Sequence, residues 1–157
     1  MSQSRSTDLS DQIDIHSHSV VMLPFLWKSY QPPPALSWKS VKLEKPSLLQ
    51  VPSTNGVYTL DVCPHVASHK NHAYIMYVGS GNLRDRFSKY LKKRPSNDDL
   101  KKVLEKYEGY IYFSFFTVSD KTYKTKEEAL YTAIYPPYNK MGLTLAAILD
   151  RTPKTAF

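Results

Sequence analysis

Six of the chain's eleven prolines, at positions 24, 32, 33, 34, 46 and 52, fall within residues 20–54. Proline fixes φ and removes a backbone donor, so a segment this dense in it is closed to long helices and central strands. The same stretch nevertheless carries apolar clusters: Val21-Met22-Leu23, Phe25-Leu26-Trp27, Leu36, Trp38 and Leu48-Leu49. It reads as an extended arm that lays its aromatics on something folded: the rest of the chain, a second copy or a bound partner. Residues 1–19 are rich in Ser and Asp and have little to bury, so they read as a disordered tail. A chain of 157 residues holds one core rather than two. The expected layout is a tail at 1–19, an arm at 20–54, one domain at 55–141 and an extension at 142–157.

Beyond Gly56 the pattern becomes regular. Val57 to Val62 is a β-branched and aromatic run, a second follows at Ala73 to Val78, and a long polar loop joins them, which predicts an antiparallel hairpin. Leu83, Phe87, Tyr90 and Leu91 recur at helical spacing and stop before Pro95. Ser96 or Asn97 can cap a second helix carrying Leu100, Val103, Leu104 and Tyr107 on one face, with Gly109 ending it. Tyr110 to Val118 is apolar on both alternating faces, as a central strand covered on both sides requires. Thr125-Lys126-Glu127-Glu128 has the form of a capping box and opens a third helix that Pro136-Pro137 ends. The order is β-β-α-α-β-α, an α+β class, and Leu143 to Leu149 can add a short terminal helix.

Lysine and arginine outnumber aspartate and glutamate by 21 to 14, a formal charge of +7. Eight of the basic residues lie between Arg84 and Lys102 against three acidic ones, and such a local surplus points to a polyanion, nucleic acid or a membrane surface. The single cysteine, Cys63, excludes an intrachain disulfide and hence a disulfide-bonded secreted scaffold. The longest apolar run, Val20 to Trp27, contains Pro24 and is too short to span a bilayer. A cytoplasmic protein that does not insert into membranes is expected. Cys63, His65, His69 and His72 are zinc-ligand types, but their spacing fits no zinc pattern, and the loop reads as solvated.

Three strings then stand in order: Gly56-Val57-Tyr58; Tyr77-Val78-Gly79-Ser80-Gly81-Asn82-Leu83-Arg84-Asp85-Arg86-Phe87; and Glu127 followed by Tyr135-Pro136-Pro137-Tyr138-Asn139. They resemble the GIY-YIG endonuclease superfamily over roughly residues 55 to 141, on the elements already read. The resemblance implies a small domain with a central three-stranded antiparallel sheet flanked by helices. It implies catalytic roles for Tyr58, Tyr77, Arg86, Glu127 and Asn139, with Arg86 as the catalytic arginine and Arg84 positioning a phosphate. Glu127 is the implied metal carboxylate, and Glu128 is left to the capping box. Tyr90, one turn after Arg86, matches a polar aromatic near the scissile phosphate. Two departures stand out: nineteen positions separate Tyr58 from Tyr77, a longer hairpin loop than in compact members, and Ser80 stands where some members carry lysine.

The implied activity is hydrolysis of DNA, most naturally duplex, in a bacterial or phage-like setting. One carboxylate implies one Mg²⁺, with Mn²⁺ able to replace it. Tyr58 would orient or deprotonate water, Arg86 would stabilise the phosphorane, and Asn139 would fix the Glu127 region. Arg86, Lys89 and Lys93, at i, i+3 and i+7, are expected to face the DNA backbone along with Ser80, Arg84 and Tyr90. Symmetric homodimers are the simplest route to a double-strand cut, and the arm is expected to help set target choice. The other readings are a DNA-binding module of the same fold without turnover and a membrane-surface protein using Val20 to Trp27.

Overall fold

The computed structural model describes residues 24–31, 37–65 and 72–139. The tail at 1–19, the extension at 142–157 with its expected helix, and His69 lie outside them. The fold is α+β: a four-stranded antiparallel sheet flanked by helices, its strands in the order β1 (Lys39–Lys42), β4 (Ile111–Thr117), β2 (Asn55–Val62) and β3 (Tyr74–Asn82).

The hairpin consists of β2 (Asn55–Val62) and β3 (Tyr74–Asn82), antiparallel with Tyr58 opposite Gly79 and a register shift between Leu60 and Asp61. β3 runs directly into α2 (Leu83–Leu91), where the Asn82 side chain accepts from Asp85 N at the helix start. Asn97 caps α3 (Asp98–Lys106) by accepting from Asp99 N and Leu100 N, and Gly109, at φ +86°, turns the chain into β4 (Ile111–Thr117). α4 (Tyr123–Ile134) closes the described chain, and Tyr135 leaves it in a left-handed conformation before Pro136.

Three expectations change. The sheet has a fourth strand, β1 (Lys39–Lys42), drawn from the proline-rich arm and paired with β4 at Val41–Phe113. Without it β4 would be an edge, with the apolar Phe113 and Phe115 beside an unpaired backbone. Second, the arm is not uniformly extended. Pro24 opens α1 (Pro24–Ser29) and Pro46 sits in the first turn of a 3-10 helix over Lys45–Gln50, both at positions where the missing N–H is unneeded. Third, α4 starts before the Thr125 to Glu128 capping box, which therefore does not form at a helix start. Instead Asp120 Oδ1 accepts from Thr122 N at 2.8 Å, and Lys126 N donates to Thr122 O at 3.0 Å.

The sheet buries both faces. On one, Tyr58, Leu60, Met76, Phe113 and Phe115 pack with Leu83 and Phe87 of α2 and Leu100, Val103 and Leu104 of α3, and the arm's Val51 joins them with no exposed area. On the other, Val57, Val78 and Phe116 pack against Leu130 and Tyr131 of α4. Beyond α4 the chain turns back along the outer edge of β3: Tyr138 N donates to Met76 O at 3.1 Å, and Asn97 Nδ2 donates to Tyr138 O at 2.7 Å. No helix among the described residues is long and apolar enough to cross a membrane.

Candidate active site

Two glycines of β3 decide where a site can form. A Cβ on Gly79 would lie 2.4 Å from Tyr58 Oη and 2.9 Å from Tyr77 Cε1. Only glycine lets the Tyr58 phenol lie across the neighbouring strand. Gly81, at φ +129°, lies under Arg86, whose Nε would be 3.1 Å from an added Cβ. Gly56 is held as tightly, because a Cβ there would lie 2.3 Å from Phe116 O. Gly56 and Gly79 are therefore packing requirements of this sheet, and Gly81 is required by its backbone conformation.

Tyr58 is 1% exposed, stacks on Phe113 with ring centroids 4.8 Å apart, and its hydroxyl meets that of Tyr90 at 2.7 Å. Tyr77 completes a triangle, its ring centroid 6.3 Å from both of the others. Burial pushes the Tyr58 phenol well above its ordinary range, with Tyr90 and Tyr77 adding to the rise and Arg86 opposing it. Burial also raises Tyr77, as does the charge of Glu127, and burial raises Tyr90. The expectation that Tyr58 is helped to lose its proton meets the opposite electrostatics here: desolvation of the phenolate outweighs the nearby guanidinium.

The triangle opens onto a pocket of about 860 Å³ at the outer edge of β3. Tyr58, Tyr77 and Arg86 line one side of it; Ser80 and Gly81 form the strand edge; Glu127 and Glu128 of α4 stand opposite. The Ser80 hydroxyl donates to Glu127 Oε2, tying the strand edge to the helix. The pocket thus straddles an edge strand, with tyrosines from one face of the sheet and carboxylates from the helix on the other.

The remaining candidates sit elsewhere. Asn139 bonds to β3 rather than to the Glu127 segment: Val78 N donates to its Oδ1 at 2.8 Å, and its Nδ2 donates to Val78 O at 2.7 Å, beside Tyr77. Arg84 Nε donates to Val51 O at 2.8 Å, so this guanidinium ties α2 to the arm and does not line the pocket. Lys93 lies beyond the end of α2 at φ +52° and pairs with Glu108 at 2.7 Å, which breaks the expected face of Arg86, Lys89 and Lys93. Lys89, in the last turn of α2, is not among the pocket's lining residues. Glu128, read as a capping residue, is exposed on the pocket wall instead.

Four lining residues went unread in the sequence: Tyr123, Lys124, Tyr131 and Thr132. Lys124, Glu127, Glu128 and Tyr131 stand at i, i+3, i+4 and i+7, a single helical face, but starting the helix at Thr125 left Tyr123 and Lys124 in a loop.

Among the described residues no group of three or more His, Cys, Asp or Glu is arranged to hold a metal ion. His65 Nε2 lies 2.8 Å from Tyr112 Oη, a contact within the sheet end rather than a ligand cluster. A magnesium ion needs less than such a cluster, since it keeps several waters and takes one or two carboxylates plus substrate oxygens. Glu127, with Glu128 adjacent, fits that requirement. No family model matches the chain, and neither a curated protein nor a solved structure matches it.

Proposed function

We propose that this chain is a metal-dependent endonuclease of the GIY-YIG type that hydrolyses DNA phosphodiester bonds. The observation that carries the reading is the convergence on one pocket of Tyr58, Tyr77, Arg86 and Glu127, from four separate elements, with Ser80 joining strand to helix.

The scissile phosphate lies between Arg86 and Glu127. A water oxygen attacks phosphorus, the bond to the leaving 3′ oxygen breaks, and a proton passes to that oxygen or to solvent. Arg86 neutralises charge that develops on the phosphorane. Tyr58, held as a neutral phenol, orients the water by hydrogen bonding and does not act as its base; Tyr90 holds Tyr58 in place. A Mg²⁺ on Glu127 would supply Lewis-acid stabilisation of the leaving oxygen and lower the pKa of bound water. Lys124 adds a second cation on the opposite wall, able to hold a non-bridging oxygen. Asn139 acts at a distance, by fixing the strand that carries Tyr77.

The burial of Tyr58 also favours a second reading, a DNA-binding module without turnover. One experiment separates them: supercoiled plasmid incubated with and without Mg²⁺. Nicked and linear products that vanish with chelator support the nuclease; DNA retained on the protein but uncut supports the module. Neither outcome would leave the nucleic-acid reading without support.

A further inference from the structure

Helix α4 presents a second stripe beside the one that faces the pocket. Thr125, Glu128, Ala129, Thr132 and Ala133 recur at i, i+3, i+4, i+7 and i+8, and with Leu26, Tyr30 and Gln31 of the arm they enclose a cleft of about 380 Å³. Glu128 and Thr132 line both cavities, so the cleft continues the candidate active site. Its volume lies in the range of small-ligand sites, roughly 300–1,000 Å³.

The chemistry of the two cavities differs. The active-site pocket sets Arg86 and Lys124 against Glu127 and Glu128; the cleft is lined by no cation, and its one charged group is the Glu128 carboxylate. Only the pocket therefore offers a phosphate a cation to pair with. What the cleft offers is the Tyr30 ring, an amide on Gln31 that can donate and accept, and a carboxylate that only accepts. Ala129 and Ala133 keep its floor shallow enough for a planar group to enter.

We propose that this cleft is a base-recognition subsite: it takes the nucleobase next to the scissile phosphate and favours adenine or cytosine, which present an amino group at the 6- or 4-position where guanine and thymine present a carbonyl oxygen. The amino group donates to Glu128, the Gln31 amide pairs with the base edge, and the Tyr30 ring supports its face. The inference rests on the nuclease reading for its location and gives the arm a specific task, supplying Leu26 of α1 and the Tyr30 and Gln31 that follow it as one wall of the subsite.

The test uses the full chain and duplex oligonucleotides randomised around the cut, with the ends produced read by sequencing. Wild type should prefer A or C over G or T by about tenfold at one flanking position, and Gln31→Leu, an exposed change, should flatten that preference with melting temperature unchanged. Ala129→Leu, which fills the cleft from an exposed helix position, should raise KM several-fold with little change in kcat. A flat wild-type profile, or one that both variants leave unaltered, overturns the subsite while leaving the nuclease standing. If wild type cuts nothing, the nuclease reading falls and binding decides. Tighter binding of oligo(dA) and oligo(dC) than of oligo(dT) by wild type, lost in Gln31→Leu, upholds the subsite, and equal binding overturns it.

Discussion

The two walls of the candidate active site are built on opposite principles. The sheet wall is part of the core: Tyr58 and Tyr90 are buried, hydrogen-bonded to each other and packed among the Phe residues of β4 and α2. The α4 wall is surface apart from the buried Tyr131: Lys124 and Glu128 are exposed, and Glu127 is half-buried and touches the opposite side through Ser80. The sheet wall obtains its geometry from packing, so its buried tyrosines cannot change without changing the fold, while Arg86 at its rim can. The helix wall obtains its geometry from where one rigid helix sits, so its residues are separable from stability. Function and folding are entangled on one side of the pocket and independent on the other.

The sharpest test of that contrast is on the helix. Glu127→Gln is expected to reduce Mg²⁺-dependent cleavage on the order of a thousandfold, with melting temperature and DNA binding preserved. A dead Glu128→Gln beside an active Glu127→Gln would move the carboxylate register by one residue. Arg86→Ala follows, with kcat expected to fall about a hundredfold and affinity little changed. A loss confined to KM would make Arg86 a binding residue and leave the phosphorane without its cation.

On the sheet wall the readout changes from rate to stability. Gly79→Ala places a methyl 2.4 Å from Tyr58 Oη, against a ring that stacks on Phe113 and cannot yield, so a loss of about 2 kcal/mol together with activity is expected. Denaturant titration checks it, and an unchanged midpoint would mean that the phenol does not lie across the strand. The smallest effect lies outside the pocket, at Asp61. Its Oδ2 accepts from Ser114 Oγ at 2.5 Å, its Oδ1 is buried without a partner among the described residues, and burial raises its pKa while the Ser114 and Thr59 hydrogen bonds oppose the rise. Because the folded pKa lies above the unfolded one, this group's contribution to stability is fully present below the unfolded value and is lost as pH rises through the folded value. Asp61→Asn should remove that decline and gain about 1 kcal/mol near neutral pH by replacing a desolvated carboxylate with a neutral amide. Melting curves compared between about pH 4 and about pH 7 check the sign. A variant that gains nothing at the higher pH would mean that the carboxylate is already satisfied.

The sequence announced the parts of the fold that rest on local chemistry. The alternation in β2, the 3.6-residue spacing in α2 and α3, and the cap at Asn97 each lie within a few residues of what they specify. The parts it hid depend on partners distant in the chain. A four-residue strand such as β1 is too short for its alternation to register, and only the otherwise open edge of β4 explains it. The start of α4 was obscured by a competing local signal, since Thr125 and Glu128 have the chemistry of a capping box while the turn at Asp120 and Thr122 begins the helix earlier. Four site residues were readable because they fall in ordered strings, and Lys124 was not, because its membership depends on where that helix begins. The resemblance made Arg84 a phosphate ligand and helical spacing added Lys93; Val51 O and Glu108, the groups that engage them, lie in other segments.

The Asn139 amide on Val78 has a consequence for how this protein behaves at high concentration. By meeting both the N–H and the C=O of an edge residue it does what a neighbouring strand would do, and so occupies the place where another chain could add to the sheet. At the far edge the two lysines of β1 discourage the same event by charge. Asn139→Ala would uncover a stretch of β3 rich in Tyr, Ile, Met and Val, a composition prone to self-association, and its first symptom should be turbidity on storage rather than slow catalysis.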